Sequence, residues 1–106
     1  MLHVRGVDLI AMPGPDGLVL PERITEWQAA VAQVNLLIGA HFPRILAVIA
    51  HQRCAGHPVT DATHDVDVLA TAKSLKDETA FKGPVRAIVA VYRTDTAWDL
   101  KQTGEF

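Results

Sequence analysis

One cysteine, Cys54, stands among 106 residues. No disulfide can close within the chain, which agrees with a reducing compartment and leaves the thiol free as a ligand or nucleophile. Long apolar runs are also missing. None approaches the ~20 residues that span a bilayer, and no basic stretch leading into an apolar core opens the sequence. A cytoplasmic protein is the expectation. Charge of one sign is lacking too: the formal net charge is −2, so nothing electrostatic points to nucleic acid or an anionic membrane as a partner. Repeats and low-complexity segments are absent. The length suits a single domain over residues 1–106, and 49% hydrophobic residues suffice for a modest core.

What is there alternates between strand and helix patterns. "VDLIAM" (7–12) is a short apolar run stopped by "PGPDG", as a buried strand would be. The prolines and glycines of that stop forbid regular structure until about Leu20. Thr25 and Gln28 have capping-box form. Ile24, Trp27, Val31, Val34 and Ile38 then recur at helical spacing, with Ala30 and Leu37 widening the stripe and Gly39 as the expected stop. "RILAVIA" (44–50) is apolar on both faces, as in a parallel sheet covered by helices. A second helix is predicted from Thr60 or Asp61, with Asp61, Asp65 and Asp67 early and Lys73 and Lys76 late, matching the helix dipole. Val68, Leu69, Ala72 and Leu75 form its inner face, and Gly83-Pro84 ends it. "VRAIVAVY" (85–92) is a third strand, followed by a polar tail with Trp98 and Leu100 as anchors. The order β-α-β-α-β predicts a three-layer α/β fold around a small parallel sheet with right-handed crossovers.

In such sheets ligands sit beyond the carboxyl ends of the strands. There the apolar stretch "ILAVIAHQRCAGHP" (45–58) runs into His51 and Cys54. Thiolate and imidazole are both zinc donors. Residues three apart on an extended strand point to opposite faces, so the two can share an ion only if the chain turns between them. Gly56 and Pro58 show that it begins to turn. The alternative is that Cys54 is a small buried hydrophobe and His51 a hydrogen-bonded rim residue.

This stretch, between a helix and an acidic helix, resembles the second metal half-motif of beta-class carbonic anhydrases. In that family an apolar strand runs into Gly-His-x-x-Cys-Gly. Here the run is Ala50-His51-Gln52-Arg53-Cys54-Ala55-Gly56, with Ala for the first Gly and one extra residue before the second. "VDLIAMPGPDG" is similar to the preceding family strand and loop, and "VRAIVAVYRTDTAWDL" resembles the last core strand and its Asp/Thr turn. The family's other half-motif, Cys-x-Asp-x-Arg, has no counterpart. Matched backwards from His51, the chain begins after the place where that central strand belongs. "VDLIAM" and "RILAVIA" then either pair directly, or leave a gap that another chain fills, or belong to a shortened form of a longer protein.

The resemblance implies a zinc ion that lowers the pKa of a bound water to near 7 for attack on carbon dioxide, held by about three protein ligands. His51 and Cys54 match two. His57 is the first candidate for the third, followed by Asp61, His64, Asp65 and His3. Arg53 is a candidate for binding bicarbonate or another anion, and Asp95 for a base at the end of the last strand. Arg5 and Asp8 do not match the family's Asp–Arg dyad in spacing or order. Trp27 and Trp98 read as packing residues. The helix over residues 29–38 is apolar nearly all round, and a three-stranded sheet has exposed edges, so a homodimer or higher homo-oligomer is expected, as the resemblance also implies. Two other functions stay open: a non-catalytic carbonic anhydrase-like assembly or regulatory module, and a Cys54 thiol enzyme with His51 or His57 as base.

Overall fold

The computed structural model describes residues 8–106. Helix α1 spans Ile24–His41 and α2 spans Asp61–Glu78; the strands are β1 (Leu46–His51), β2 (Val85–Thr94) and β3 (Ala97–Glu105). The sheet order is β1-β2-β3. β1 and β2 run parallel, Leu46 opposite Val85 through His51 opposite Ala90, with α2 as the crossover. The α/β class and this central β-α-β unit are those the sequence predicts.

The ends differ. β3 pairs with β2 antiparallel, so the sheet is mixed rather than all-parallel, and the polar tail is a strand. A hairpin needs only a short link, here between Thr94 and Ala97, whereas a parallel return needs a crossover. At the other end, residues 8–12 of the expected first strand have no regular structure; Val7 lies outside the described residues. A strand exists only by pairing, and among the described residues β1 pairs with β2 alone. Ile10 and Met12 nevertheless pack against the core from an irregular segment.

α1 also begins and ends elsewhere than predicted. Pro15–Gly17 and Pro21–Arg23 form 3-10 turns, and the second feeds directly into α1 at Ile24. Thr25 is thus already helical and caps nothing. The helix passes Gly39 and stops at Phe42, which takes a left-handed conformation (φ 51°) and bonds back to Ile38. Trp27, Ala30 and Val34 are its buried stripe, while Ile24 is half exposed. α1 is tied to the far end of α2 by Trp27 Nε1 donating to Glu78 Oε1 (3.2 Å) and by Asn35 Oδ1 accepting from Ala80 N (2.8 Å).

α2 starts where predicted but stops at Glu78, where Thr79 N–H and its hydroxyl bond back to Leu75 O, before the expected break at Gly83-Pro84. Thr60 is the N-cap, its hydroxyl accepting from Thr63 N at 3.2 Å. Val68, Ala72 and Leu75 pack on Val48, Ala50, Val85, Ala87 and Val89 of the sheet. Val68, Val85 and Val89 are fully buried, each worth about 1.5–3 kcal/mol of apolar transfer. The opposite face of the sheet is open: Ile49 is 47% exposed and Leu100 68%. The expectation that continuous apolarity in β1 means both faces are covered does not hold among the described residues. No described helix is long and apolar enough to cross a membrane.

Candidate functional site

A cleft of about 520 Å³ opens beyond the carboxyl end of β1. Residues 9–15 wall one side; Ile49, His51 and residues 53–56 wall the other. The irregular first segment, pinned through its half-buried Ile10 and Met12, therefore makes half of the site. Arg23 fixes its turn: the guanidinium donates to Gly14 O (2.6 Å) and Pro13 O (2.5 Å) and pairs with Glu26 (2.6 Å). The bond to Glu26 raises the Arg23 pKa above its ordinary value and holds the Glu26 carboxyl below its own.

The walls interlock through glycines. Gly14 has φ +51°, and a Cβ there would lie 2.7 Å from His57 Cβ and 2.8 Å from Gly56 O. A Cβ on Gly17 would lie 2.7 Å from His57 Nδ1. Only hydrogen at these positions lets the 13–17 loop close onto the turn that follows β1.

His51 and Cys54 both line this cleft. His51 is exposed, and its Nδ1–H donates to Gln52 O (2.9 Å), which leaves Nε2 with the free lone pair of the neutral ring. Its ring meets Trp98 edge-on at 5.8 Å, and Trp98 meets Tyr92 likewise at 5.3 Å. Cys54 is buried at 6% exposure. Arg53, left-handed at φ 58°, lays its guanidinium 3.5 Å over the Tyr92 ring at the cleft wall. Asp95 stands in the β2–β3 turn and accepts from the Tyr92 hydroxyl (2.6 Å); it does not line the cleft. Trp98 is a rim residue at 43% exposure, whereas Trp27 is core.

The candidates for a third ligand are dispersed. His57 is buried and faces the other way: its Nε2–H donates to Asp67 Oδ2 (2.6 Å) and lies 4.0 Å from Asp16 Oδ2. His64, fully buried, donates from Nδ1 to Asp16 Oδ2 (2.5 Å). Asp61 is exposed, Asp65 pairs with Lys101 (3.0 Å), and His3 lies outside the described residues. Asp8 pairs with His41 (2.7 Å); Arg5 is likewise outside. Among the described residues, the one grouping of three or more His, Cys, Asp or Glu close enough to share a cation is Asp16, His57 and Asp67, and it contains neither His51 nor Cys54.

Asp16 and Asp67 are the residues the sequence did not single out for chemistry. Asp67 had a signal: with His64 and Thr71 it recurs at three- and four-residue spacing on one face of α2. Asp16 had none, since nothing local shows that the "PGPDG" turn folds over that face.

Residues 1–103 match a family model described as Putative carbonic anhydrase. No curated protein and no solved structure matches the chain.

Proposed function

The chain belongs to the putative carbonic anhydrase family, and on that premise we propose that it is a carbonic anhydrase-like zinc protein whose cleft takes carbon dioxide, bicarbonate or a related small molecule. The observation that carries this reading is that His51 and Cys54, the two residues matching the family half-motif, open into one cleft at the carboxyl end of a parallel strand. Their donor types suit zinc, which supplies an acidified water at neutral pH. His51 offers Nε2, its tautomer set by the bond to Gln52 O; Cys54 offers a thiol shielded from bulk water. Arg53 stacks flat on Tyr92, and its N–H edge is the anion-binding group of the reading. Asp95 accepts from the Tyr92 hydroxyl and, in this reading, positions the ring that seats Arg53.

In the cleft the described residues supply two candidate ligands, His51 and Cys54, and a zinc site needs about three. The remainder comes, in this reading, from a second copy of the chain. Exposed Leu36 on α1, with Ile49 and Leu100 on the open sheet face, supports a homodimer or higher homo-oligomer. The same shortfall favours a second reading, a carbonic anhydrase-like module that binds or assembles without catalysis.

The test is elemental analysis of the purified protein together with stopped-flow carbon dioxide hydration. The proposal expects zinc in the cleft and hydration above the buffer rate, with the hydration and one equivalent of zinc per chain lost in Cys54→Ser. Zinc lost in Cys54→Ser with no hydration at any pH supports the second reading. Zinc content indifferent to Cys54→Ser and His51→Ala removes the cleft as a metal site.

A further inference from the structure

Two of the histidines that do not reach the cleft, His57 and His64, sit in a buried polar cluster under the 13–17 loop. We propose that Asp16, His57 and Asp67 form a second divalent-cation site, separate from the cleft and suited to zinc or a similar first-row ion. Three chain segments converge there: the Pro15–Gly17 turn, the turn after β1, and the second turn of α2.

The donor geometry is close to what an ion requires. One ligand atom from each residue lies within 4.8 Å of the other two. A tetrahedral ion with bonds of about 2.0–2.1 Å sets its ligand atoms about 3.3 Å apart. The two observed edges from His57 Nε2, 2.6 Å to Asp67 and 4.0 Å to Asp16, bracket that spacing. Opening one and closing the other asks only for small side-chain rotations. One imidazole and two carboxylates is a donor set that first-row divalent ions accept.

Charge points the same way. The Asp16 side chain is 0% exposed, and its Oδ1 has no hydrogen-bond partner among the described residues. No described Lys or Arg is bonded to Asp16 or Asp67; Arg23 is bonded to Pro13, Gly14 and Glu26 and acts on Asp16 only through space. The cluster holds two carboxylates with no bonded Lys or Arg, one of them fully buried, which is costly. A divalent ion neutralises both, and binding through both Asp16 oxygens gives Oδ1 a partner.

The surroundings are those of a supported ligand. His64 Nδ1 bonds Asp16 Oδ2, and the Thr71 hydroxyl holds Asp16 O at 2.7 Å. Such outer contacts orient metal-binding carboxylates. Asp67, its side chain 20% exposed, is the way in. Binding at His57 Nε2 moves the ring proton to Nδ1.

The experiment uses full-length protein stripped of metal and titrated with Co2+, in a Cys54→Ser background so that the cleft thiol plays no part. The proposal expects one Co2+ per chain with d–d absorption, no thiolate-to-cobalt charge-transfer band, and a rise in Tm. Asp67→Asn on that background weakens Co2+ binding about tenfold or more, with circular dichroism confirming the fold; His57→Gln is the second variant. Co2+ taken up by the unsubstituted protein through a thiolate band alone, and wholly lost in Cys54→Ser, overturns this site while leaving the cleft reading intact. Equal Co2+ affinity in the folded Asp67→Asn and His57→Gln variants overturns it as well.

Discussion

His51 and His57 come from the same short stretch of chain and end in opposite surroundings. His51 is exposed at the cleft rim, bonded to its neighbour's carbonyl and edge-on to an aromatic ring. His57 is buried, clasped by the loop above and by a carboxylate of α2 below. The turn between them, with Arg53 in the left-handed region, divides the segment into a part free to change partners and a part fixed by packing. A rim side chain can be exchanged at small cost to the fold. The buried cluster is part of how the fold closes, whatever else it does.

Substitutions can break that contrast. The largest effect is expected at Asp16: Asp16→Ala strands the buried His64 donor and costs about 3 kcal/mol or more, whereas His51→Ala stays within about 0.5 kcal/mol. Urea denaturation of both decides it, and similar losses would erase the distinction between the two regions. Gly14→Ala comes next, at about 2 kcal/mol, because a Cβ meets Gly56 and His57 while the backbone is held at positive φ. A loop that tolerates alanine there is not closed as described.

On the rim side, Tyr92→Ala removes the seat of Arg53 and an edge-on contact with Trp98, for about 1 kcal/mol. Cys54 sharpens the comparison from within the cleft, since its burial predicts slow alkylation in the native protein and fast alkylation in urea. Rapid native alkylation near neutral pH would revive the thiol-enzyme reading.

The smallest effect is at Arg23–Glu26. The Glu26 carboxyl is depressed in the folded state by the bond to Arg23, so the pair stabilises the fold above the ordinary value of 4.5, and that stability is lost as pH falls through the lowered folded pKa. In Glu26→Gln the stability difference from the unsubstituted chain should vanish in acid. Glu26 is exposed, so only a slight difference is expected at neutral pH.

These outcomes bear on what the sequence could convey. α2 was legible from cap to inner face because its signals are local: Thr60, the early aspartates, and Val68, Ala72 and Leu75 at helical spacing. The central strands were legible as apolar runs. The partners were not. "VDLIAM" has a strand's composition and no described neighbour to pair with, and residues 97–105 have a weak alternation that becomes a strand because β2 lies within hairpin reach. The cleft followed from topology, since strand ends gather loops. The buried cluster needed long-range closure between Asp16 and α2, which no local pattern encodes.

That difference in reach recurs in time. The β2–β3 hairpin joins neighbouring stretches, and such closures take microseconds. Docking β1 beside β2 must first loop out the whole of α2, and seating residue 16 on His64 spans a still longer arc. In refolding, the hairpin is expected to gain amide protection early and the Asp16 latch to set last.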